Sequence, residues 1–176
     1  MQPMDQTAFR SKGAGFYRDV VKILLYPGQF FEEMPDLKQK REAVTFLCIC
    51  VSIYSAAATI FAYENHFFYF LMFLANGLLI PIVTFAALFL VLFLTGAGRT
   101  AHATVLCIVA YAGVSLLFAW IPGMAPFAEI YKYYLVGLGL LKTGKMSLAR
   151  AIATLLATIA LLWLVLYFAQ ILTGNA

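Results

Sequence analysis

Five apolar runs, which predict membrane-spanning helices, constrain this chain more than any other feature of its sequence. A helix rises about 1.5 Å per residue, so about 20 apolar residues span a hydrocarbon core of about 30 Å. Apolar residues make up 64% of the chain and charged residues 11%, against about 45–50% and about 25% in soluble domains. We therefore expect an all-α polytopic transmembrane bundle of five helices, with spans at about 43–63, 67–94, 103–121, 127–141 and 148–172.

The basic residues predict how these spans are oriented. Seven of the 12 lysines and arginines precede residue 43, and others fall in the predicted inner connections. The predicted outer loops, 64–66 and 122–126, contain none. Because Lys and Arg accumulate in cytoplasmic loops, we expect the N-terminus in the cytosol and the C-terminus on the outer side of the membrane.

The fourth predicted span, 127–141, is the weakest because it contains Glu129 and Lys132. These residues lie three positions apart and so share one face of a helix. One interpretation is an ion pair near the outer surface, with Lys132 reaching toward the headgroups. The other is an outer cavity in which Glu129 handles protons or a ligand. A fourth segment that is re-entrant would return the C-terminus to the cytosol, and this alternative stays open.

Residues 1–42 are predicted to form a cytosolic segment with amphipathic helices, ahead of a membrane domain at 43–176. From residue 16 to 26, apolar and charged side chains separate onto two sides of a helix. Pro27 suits the first turn of a second short helix. Such helices lie in the membrane interface or pack on the ends of the spans, and one does not exclude the other. The candidate interfacial residues are Phe16, Tyr17, Leu24, Phe30 and Phe31.

Asn76 is a polar residue inside the second predicted span, next to Gly77. Pro81 has no amide hydrogen, so the Gly77 carbonyl loses its helical partner and a kink is expected. In one interpretation Asn76 is a functional polar site within the bundle. In the other it makes an interhelical hydrogen bond beside a structural kink. Asn76, Glu129 and Lys132 together are the candidate polar intramembrane residues.

Several functional classes find no support in the sequence. The basic residues before position 43 are mixed with six of the eight acids, so there is no basic stripe for nucleic acid. Cys48 and Cys50 lie on different helix faces and cannot clamp a metal together. His66 and His102 are predicted on opposite membrane sides, and no catalytic motif is present. We expect a non-enzymatic protein with no catalytic residue, metal, cofactor or nucleic-acid partner.

Small residues predict close packing of two of the spans. One face of the first span carries small or hydroxyl side chains, and so does one face of the fifth. Such faces let helix backbones approach closely in lipid, either inside the bundle or at a contact with a second copy. The residues are Ser52, Ser55, Ala56 and Thr59 in the first span, and Ala149, Ala153, Ala157 and Ala160 in the fifth.

Short motifs spread over residues 16–170 resemble those of the Yip family, the Ypt/Rab-interacting five-span membrane proteins, in its prokaryotic form. The residues that carry this resemblance are Pro27, Tyr111, Pro122, Tyr131, Gly139, Ser147 and Ala151, each with its immediate neighbours. The chain departs from the family pattern at Tyr131, where tryptophan is common, and at Lys132, which is unusual in the fourth segment.

The resemblance implies a polytopic membrane protein without known catalysis, here in a prokaryotic inner or plasma membrane. Eukaryotic relatives bind small GTPases, but this chain lacks their longer cytosolic region, so small-GTPase binding is not carried over. The expected partners are membrane lipids, with a membrane-protein partner or a second copy as further options. Our first hypothesis is a non-enzymatic protein that organises membrane lipid or binds membrane partners. The alternative is a small permease or channel component that uses Asn76, Glu129 and Lys132.

Overall fold

The computed structural model describes residues 6–34, 40–61, 65–95 and 102–172. Within these ranges every regular element is a helix, which confirms the predicted all-α class. The C-terminal tail and part of the predicted outer loop at 64–66 lie outside the described residues. The helices are α1 (Gln6–Leu25), α2 (Pro27–Glu33), α3 (Lys40–Thr59), α4 (His66–Leu94), α5 (His102–Ala112), α6 (Leu116–Ala119), α7 (Ala125–Lys142) and α8 (Leu148–Leu172), and a 3-10 turn, Gly113–Ser115, joins α5 to α6.

Four of the helical segments are long and apolar enough to cross a bilayer, which confirms a polytopic membrane bundle. They are Lys40–Thr59, His66–Leu94, His102–Ala119 and Leu148–Val165. The fourth predicted span corresponds to α7, an 18-residue helix that carries Glu129, Lys132 and Lys142. In α7 two of these charges, Glu129 and Lys132, lie inside the helix, whereas the three charges of Lys40–Thr59 lie at its first three residues. The count of five spans stays a prediction.

Helix packing places α5 at the centre of the bundle. α3 packs against α4 and α5, α4 packs against α8, and α7 packs against α5, α8 and α2. In the third span, His102–Ala119, 67% of the apolar window is buried, whereas in α8 the buried share is 17%. The interior is therefore built around α5, and α8 lies at the periphery.

Two glycines mark places where helices approach each other closely. A Cβ atom added at Gly139 of α7 would lie 2.6 Å from Cγ2 of Ile108 on α5. A Cβ atom added at Gly77 of α4 would lie 2.9 Å from Cγ1 of Val51 on α3. Without a hydrophobic driving force between helices in lipid, such close approaches are a main source of packing energy. Both glycines are buried for that reason.

The small-residue faces divide between the interior and the surface. In α3, Ser55 is buried while Ser52 and Ala56 are exposed. In α8, the interior face is formed instead by Ala151, Thr154 and Thr158, which are buried. The predicted small face of α8 is exposed along its whole length, at Ala149, Ala153, Ala157 and Ala160. The interior alternative is therefore wrong for this face, and its contact with a second copy stays a prediction.

Candidate functional site

The first two helices, α1 and α2, dock onto one end of the bundle, and we call them the platform. Ile23 and Phe31 of the platform are fully buried and belong to the same core cluster as the spans. The ring centroids of Phe30 and Tyr111 of α5 lie 4.9 Å apart in an edge-to-face arrangement. Edge-to-face pairs contribute about 0.5–1.5 kcal/mol beyond the area that they bury. The platform is thus part of the folded core.

Polar contacts tie the platform to α7. The hydroxyl of Tyr131 donates a hydrogen bond to the carbonyl of Ile23 over 3.2 Å. The hydroxyl of Thr143, at the end of α7, donates to the carbonyl of Phe31 over 2.6 Å. Lys142 forms an ion pair with Glu32 of α2. These contacts fix the angle at which α2 meets the bundle.

The apolar side of α1 is wider than the surface on which it docks. Phe16, Val20 and Leu24 pack against the core cluster. Tyr17 and Leu25 belong to the same predicted apolar side, yet they are 71% and 65% exposed. Of the five candidate interfacial residues, four therefore contact the bundle, and Tyr17 alone among them faces outward. The packing alternative describes the inner part of this side, and the interfacial alternative stays a prediction for the outer part.

A charged groove lies between the platform and the start of α3. It consists of two adjoining pockets of about 640 Å³ and about 400 Å³, and both are lined by Arg18, Asp19 and Glu42. Arg41 completes the charged lining of the larger pocket. The remaining wall of that pocket is mainly apolar and is formed by Phe16, Phe46 and Ile49. We call the two pockets together the groove.

Asp19 is a half-buried carboxylate of the groove. Burial raises the pKa of its carboxyl, the neighbouring Arg18 opposes this effect, and the charge of Glu42 adds to it. Desolvation penalises the ionised form of a carboxylate, so a cation placed nearby would be bound favourably. Within the described residues no group of three His, Cys, Asp or Glu side chains could hold a metal ion. The groove thus presents charges of both signs beside an apolar wall.

Glu129 and Lys132 lie on α7 and form the predicted ion pair. Lys132 is 7% exposed, and its ammonium lies 4.9 Å from the centroid of the Tyr133 ring. The side chain of Glu129 is 51% exposed. The buried ammonium is thus compensated by one carboxylate and one aromatic face.

Asn76 is not brought together with this pair. Its side chain lies on the exposed face of α4, while its neighbour Gly77 faces α3. α4 continues as one helix through Pro81, which is buried. The structure therefore separates the candidate polar residues into an exposed amide on α4 and an ion pair on α7. None of the three candidate polar residues lines either pocket of the groove.

The two single substitutions that remove one partner of the α7 ion pair are expected to have different effects on the free energy of unfolding. Glu129→Gln leaves the buried ammonium of Lys132 without its carboxylate and should lower the free energy of unfolding by about 1–3 kcal/mol. Lys132→Met replaces the buried charge with an apolar chain of similar length, and the carboxylate that it leaves behind is 51% exposed. Because no buried charge is left unpaired, this variant should be neutral or stabilising. Thermal unfolding in detergent measures both effects. Equal losses in the two variants would contradict this account of the pair.

The sequence alone interprets the charged groove residues only as topology charges and as the polar side of an amphipathic helix. Arg18 and Asp19 are adjacent in sequence, and so are Arg41 and Glu42. Two such pairs of opposite charge, one inside α1 and one at the start of α3, are the signal in the sequence for a mixed-charge site. The sequence alone does not bring these pairs together, because the contact between α1 and α3 joins distant segments. In the structure the ring centroids of Phe16 and Phe46 lie 5.1 Å apart.

The residues that carry the family resemblance concentrate at the docked platform and around α7. Pro27 begins α2, Tyr111 contacts Phe30, Tyr131 donates to Ile23, and Gly139 admits Ile108. A family model, the Yip1 domain, matches residues 21–169 of the chain. No curated protein and no solved structure matches the chain significantly. Since the matched region covers most of the chain, this multi-pass membrane protein belongs to the Yip1-domain family.

Proposed function

We propose that this protein is a non-enzymatic member of the Yip type that organises membrane lipid through its platform. The proposal rests on one observation: part of the apolar surface of α1 does not contact the bundle. Tyr17 and Leu25 remain exposed although the rest of that side is docked. An amphipathic helix with exposed aromatic and aliphatic side chains lies in the headgroup layer.

Charges beside this surface fit the same position. Arg18 follows the exposed apolar residues around α1, and a long basic side chain reaches toward headgroups while its stem covers apolar surface. Lys22 beside it adds a second positive charge, which is paired with Glu33. Since basic residues favour the cytoplasmic side, we place the platform on the cytosolic leaflet, in a prokaryotic inner or plasma membrane. Docking holds the apolar surface at that level, so the platform orders the lipid against which it lies.

The bundle interior favours this function over transport. The hydroxyls of Ser55 and Thr158, both buried, donate to carbonyls of their own helices. Among the residues that the structure describes, every buried side-chain nitrogen and oxygen has a hydrogen-bond partner. Asn76 and the Glu129–Lys132 pair are separate. A permease needs polar groups that face a common path, and this arrangement does not supply one from those residues.

Lipid contact at the platform can be measured by electron paramagnetic resonance with spin-labelled phosphatidylcholine. The protein is reconstituted in vesicles, with the label either near the headgroup or near the end of the acyl chain. We expect Tyr17→Glu/Leu25→Glu to reduce the motionally restricted fraction of the shallow label and to leave that of the deep label unchanged. Glu side chains lose the apolar burial that holds the helix in the interface.

Gln29→Glu supplies the matched control, because Gln29 is an exposed polar residue of the same platform. This control adds a carboxylate without removing apolar surface, so the shallow signal should match that of the wild type. An unchanged shallow signal in the Tyr17→Glu/Leu25→Glu variant would refute the proposed lipid contact. Protein-dependent solute flux in sealed vesicles would instead replace the proposal with the transport alternative.

A further inference from the structure

The groove contains four charged residues that have no ion-pair partner among the described residues. The salt bridges of that part of the chain join Lys22 to Glu33, Lys132 to Glu129 and Lys142 to Glu32. Arg18, Asp19, Arg41 and Glu42 are not among these partners, although they line one cavity. In the part of the chain that the structure describes, two cations and two anions thus line the groove without an ion-pair partner.

The sum of these charges selects the class of ligand. The formal charges of the two arginines and the two carboxylates cancel, so a ligand with a single sign of charge would be attracted by one pair and repelled by the other. A zwitterion avoids this conflict because its anion faces the arginines and its cation faces the carboxylates. Guanidinium groups match phosphate geometry, since they present several donors in a planar fork.

The carboxylates favour a primary ammonium as the positive end. An ammonium group has three N–H donors, and ionised carboxylates are acceptors only. A trimethylammonium group has no N–H donor and is held best by aromatic cages. Asp19 and Glu42 therefore distinguish phosphoethanolamine from phosphocholine by hydrogen bonding.

The apolar wall of the groove indicates that the ligand is a lipid. Phe16, Phe46 and Ile49 line the larger pocket. Ile49 is exposed, and Ile53, one helical turn further along α3, is exposed as well. These two residues continue the wall along a span that crosses the bilayer, so an acyl chain beginning at the groove would lie against them.

We propose that the groove binds the headgroup of a phosphatidylethanolamine, with the phosphate at Arg18 and Arg41 and the ammonium at Asp19 and Glu42. This proposal rests on the proposed function, because it names the lipid that the platform holds. It places one specific lipid between α1 and α3, whereas Tyr17 and Leu25 contact the surrounding lipid without regard to headgroup. The two parts of the platform can therefore be tested separately.

Native mass spectrometry of the purified full chain in detergent tests the assignment. The chain is titrated with dioleoyl phosphatidylethanolamine, phosphatidylcholine and phosphatidylglycerol, which share their acyl chains, and with free phosphoethanolamine. We expect one equivalent of phosphatidylethanolamine to bind about tenfold more tightly than either other lipid. Phosphatidylcholine offers the carboxylates no N–H donor, and phosphatidylglycerol offers them no cation. Free phosphoethanolamine should not be retained, since it lacks the acyl chains.

Two substitutions in the groove should act differently on the binding of phosphatidylethanolamine and phosphatidylglycerol. Glu42→Gln should weaken phosphatidylethanolamine about tenfold and leave phosphatidylglycerol no weaker than before, because a repulsive carboxylate is gone. Arg41→Gln should weaken both lipids, since both carry the phosphate. Asp19→Asn repeats the Glu42→Gln prediction should that variant not fold. Arg150→Gln is the control, because Arg150 is an exposed arginine at the start of α8 and does not line the groove.

Each alternative outcome overturns a distinct part of the proposal. Equal binding of the three lipids would refute headgroup selection, and tighter binding of phosphatidylglycerol would refute the role of the carboxylates. Retention of free phosphoethanolamine with the same affinity would show a soluble ligand instead of a lipid. None of these results affects the spin-label experiment, so the lipid contact of Tyr17 and Leu25 is tested by that experiment alone.

Discussion

Phe31→Ala is expected to release the platform from the bundle. The Phe31 side chain is fully buried in α2, and truncation of a buried phenylalanine costs about 3–5 kcal/mol through lost burial and the cavity left behind. Hydrogen exchange in detergent should show the amide protection of α1 and α2 falling by about two to three orders of magnitude, since about 1.4 kcal/mol corresponds to a factor of ten. Protection in α5, at the bundle centre, should change less.

Tyr17→Ala is the matched control for this variant. It removes an aromatic side chain of similar size from the same platform, but from a position that is exposed. Exposed substitutions usually change stability by about 0.5 kcal/mol or less, so protection in detergent should stay close to that of the wild type. Equal loss of protection in the two variants would show that burial of Phe31 does not hold the platform.

Gly139→Ala should destabilise the contact between α5 and α7. The added methyl group would lie 2.6 Å from Cγ2 and 2.8 Å from Cγ1 of Ile108. Both atoms are attached to the branched Cβ, so they cannot move away without a shift of the main chain. Overpacking of this kind costs about 1–3 kcal/mol, more than the gain of about 1 kcal/mol in helix propensity. A loss of about 2 kcal/mol would lower the midpoint of thermal unfolding by about 4–8 °C.

Gly137→Ala provides the comparison on the same helix. Its added methyl group would meet only Cδ1 of Leu155, the far end of a flexible side chain, at 2.9 Å. This variant should lose little stability, because Leu155 can change rotamer. In Gly139→Ala, the second substitution Ile108→Ala should recover part of the loss, which a double-mutant cycle measures. The absence of any such coupling would contradict the steric account.

The helical class and the presence of several long apolar helices could be predicted because they depend on local properties of the chain. Span length follows from bilayer thickness, and the amphipathic pattern of α1 follows from the period of the helix. The charges of α7 were likewise visible at Glu129 and Lys132 before the fold was known. Residue-level patterns of this kind need no knowledge of which helices are neighbours.

The interior face of α8 and the groove could not be predicted, because both depend on contacts between distant segments. The small residues of α8 gave two equivalent interpretations, and only packing against α4 and α7 shows that the face with Ala153 and Ala157 points outward. Likewise, Arg18 and Arg41 are 23 positions apart, and their common pocket exists only because Phe16 docks on Phe46. Periodicity identifies the faces of a helix but does not choose their neighbours.

Contacts at Lys142 and Thr143 connect the end of α7 to the platform. The 18 residues of α7 extend about 27 Å, with the Glu129–Lys132 pair toward one end and the Thr143 contact with the platform at the other. A membrane-spanning helix changes its tilt in a thinner bilayer. A change in the tilt of α7 would also move the platform, because the platform contacts the end of α7. For α7 as the predicted fourth span and the platform as the proposed interfacial element, the depth of the platform would then vary with membrane thickness.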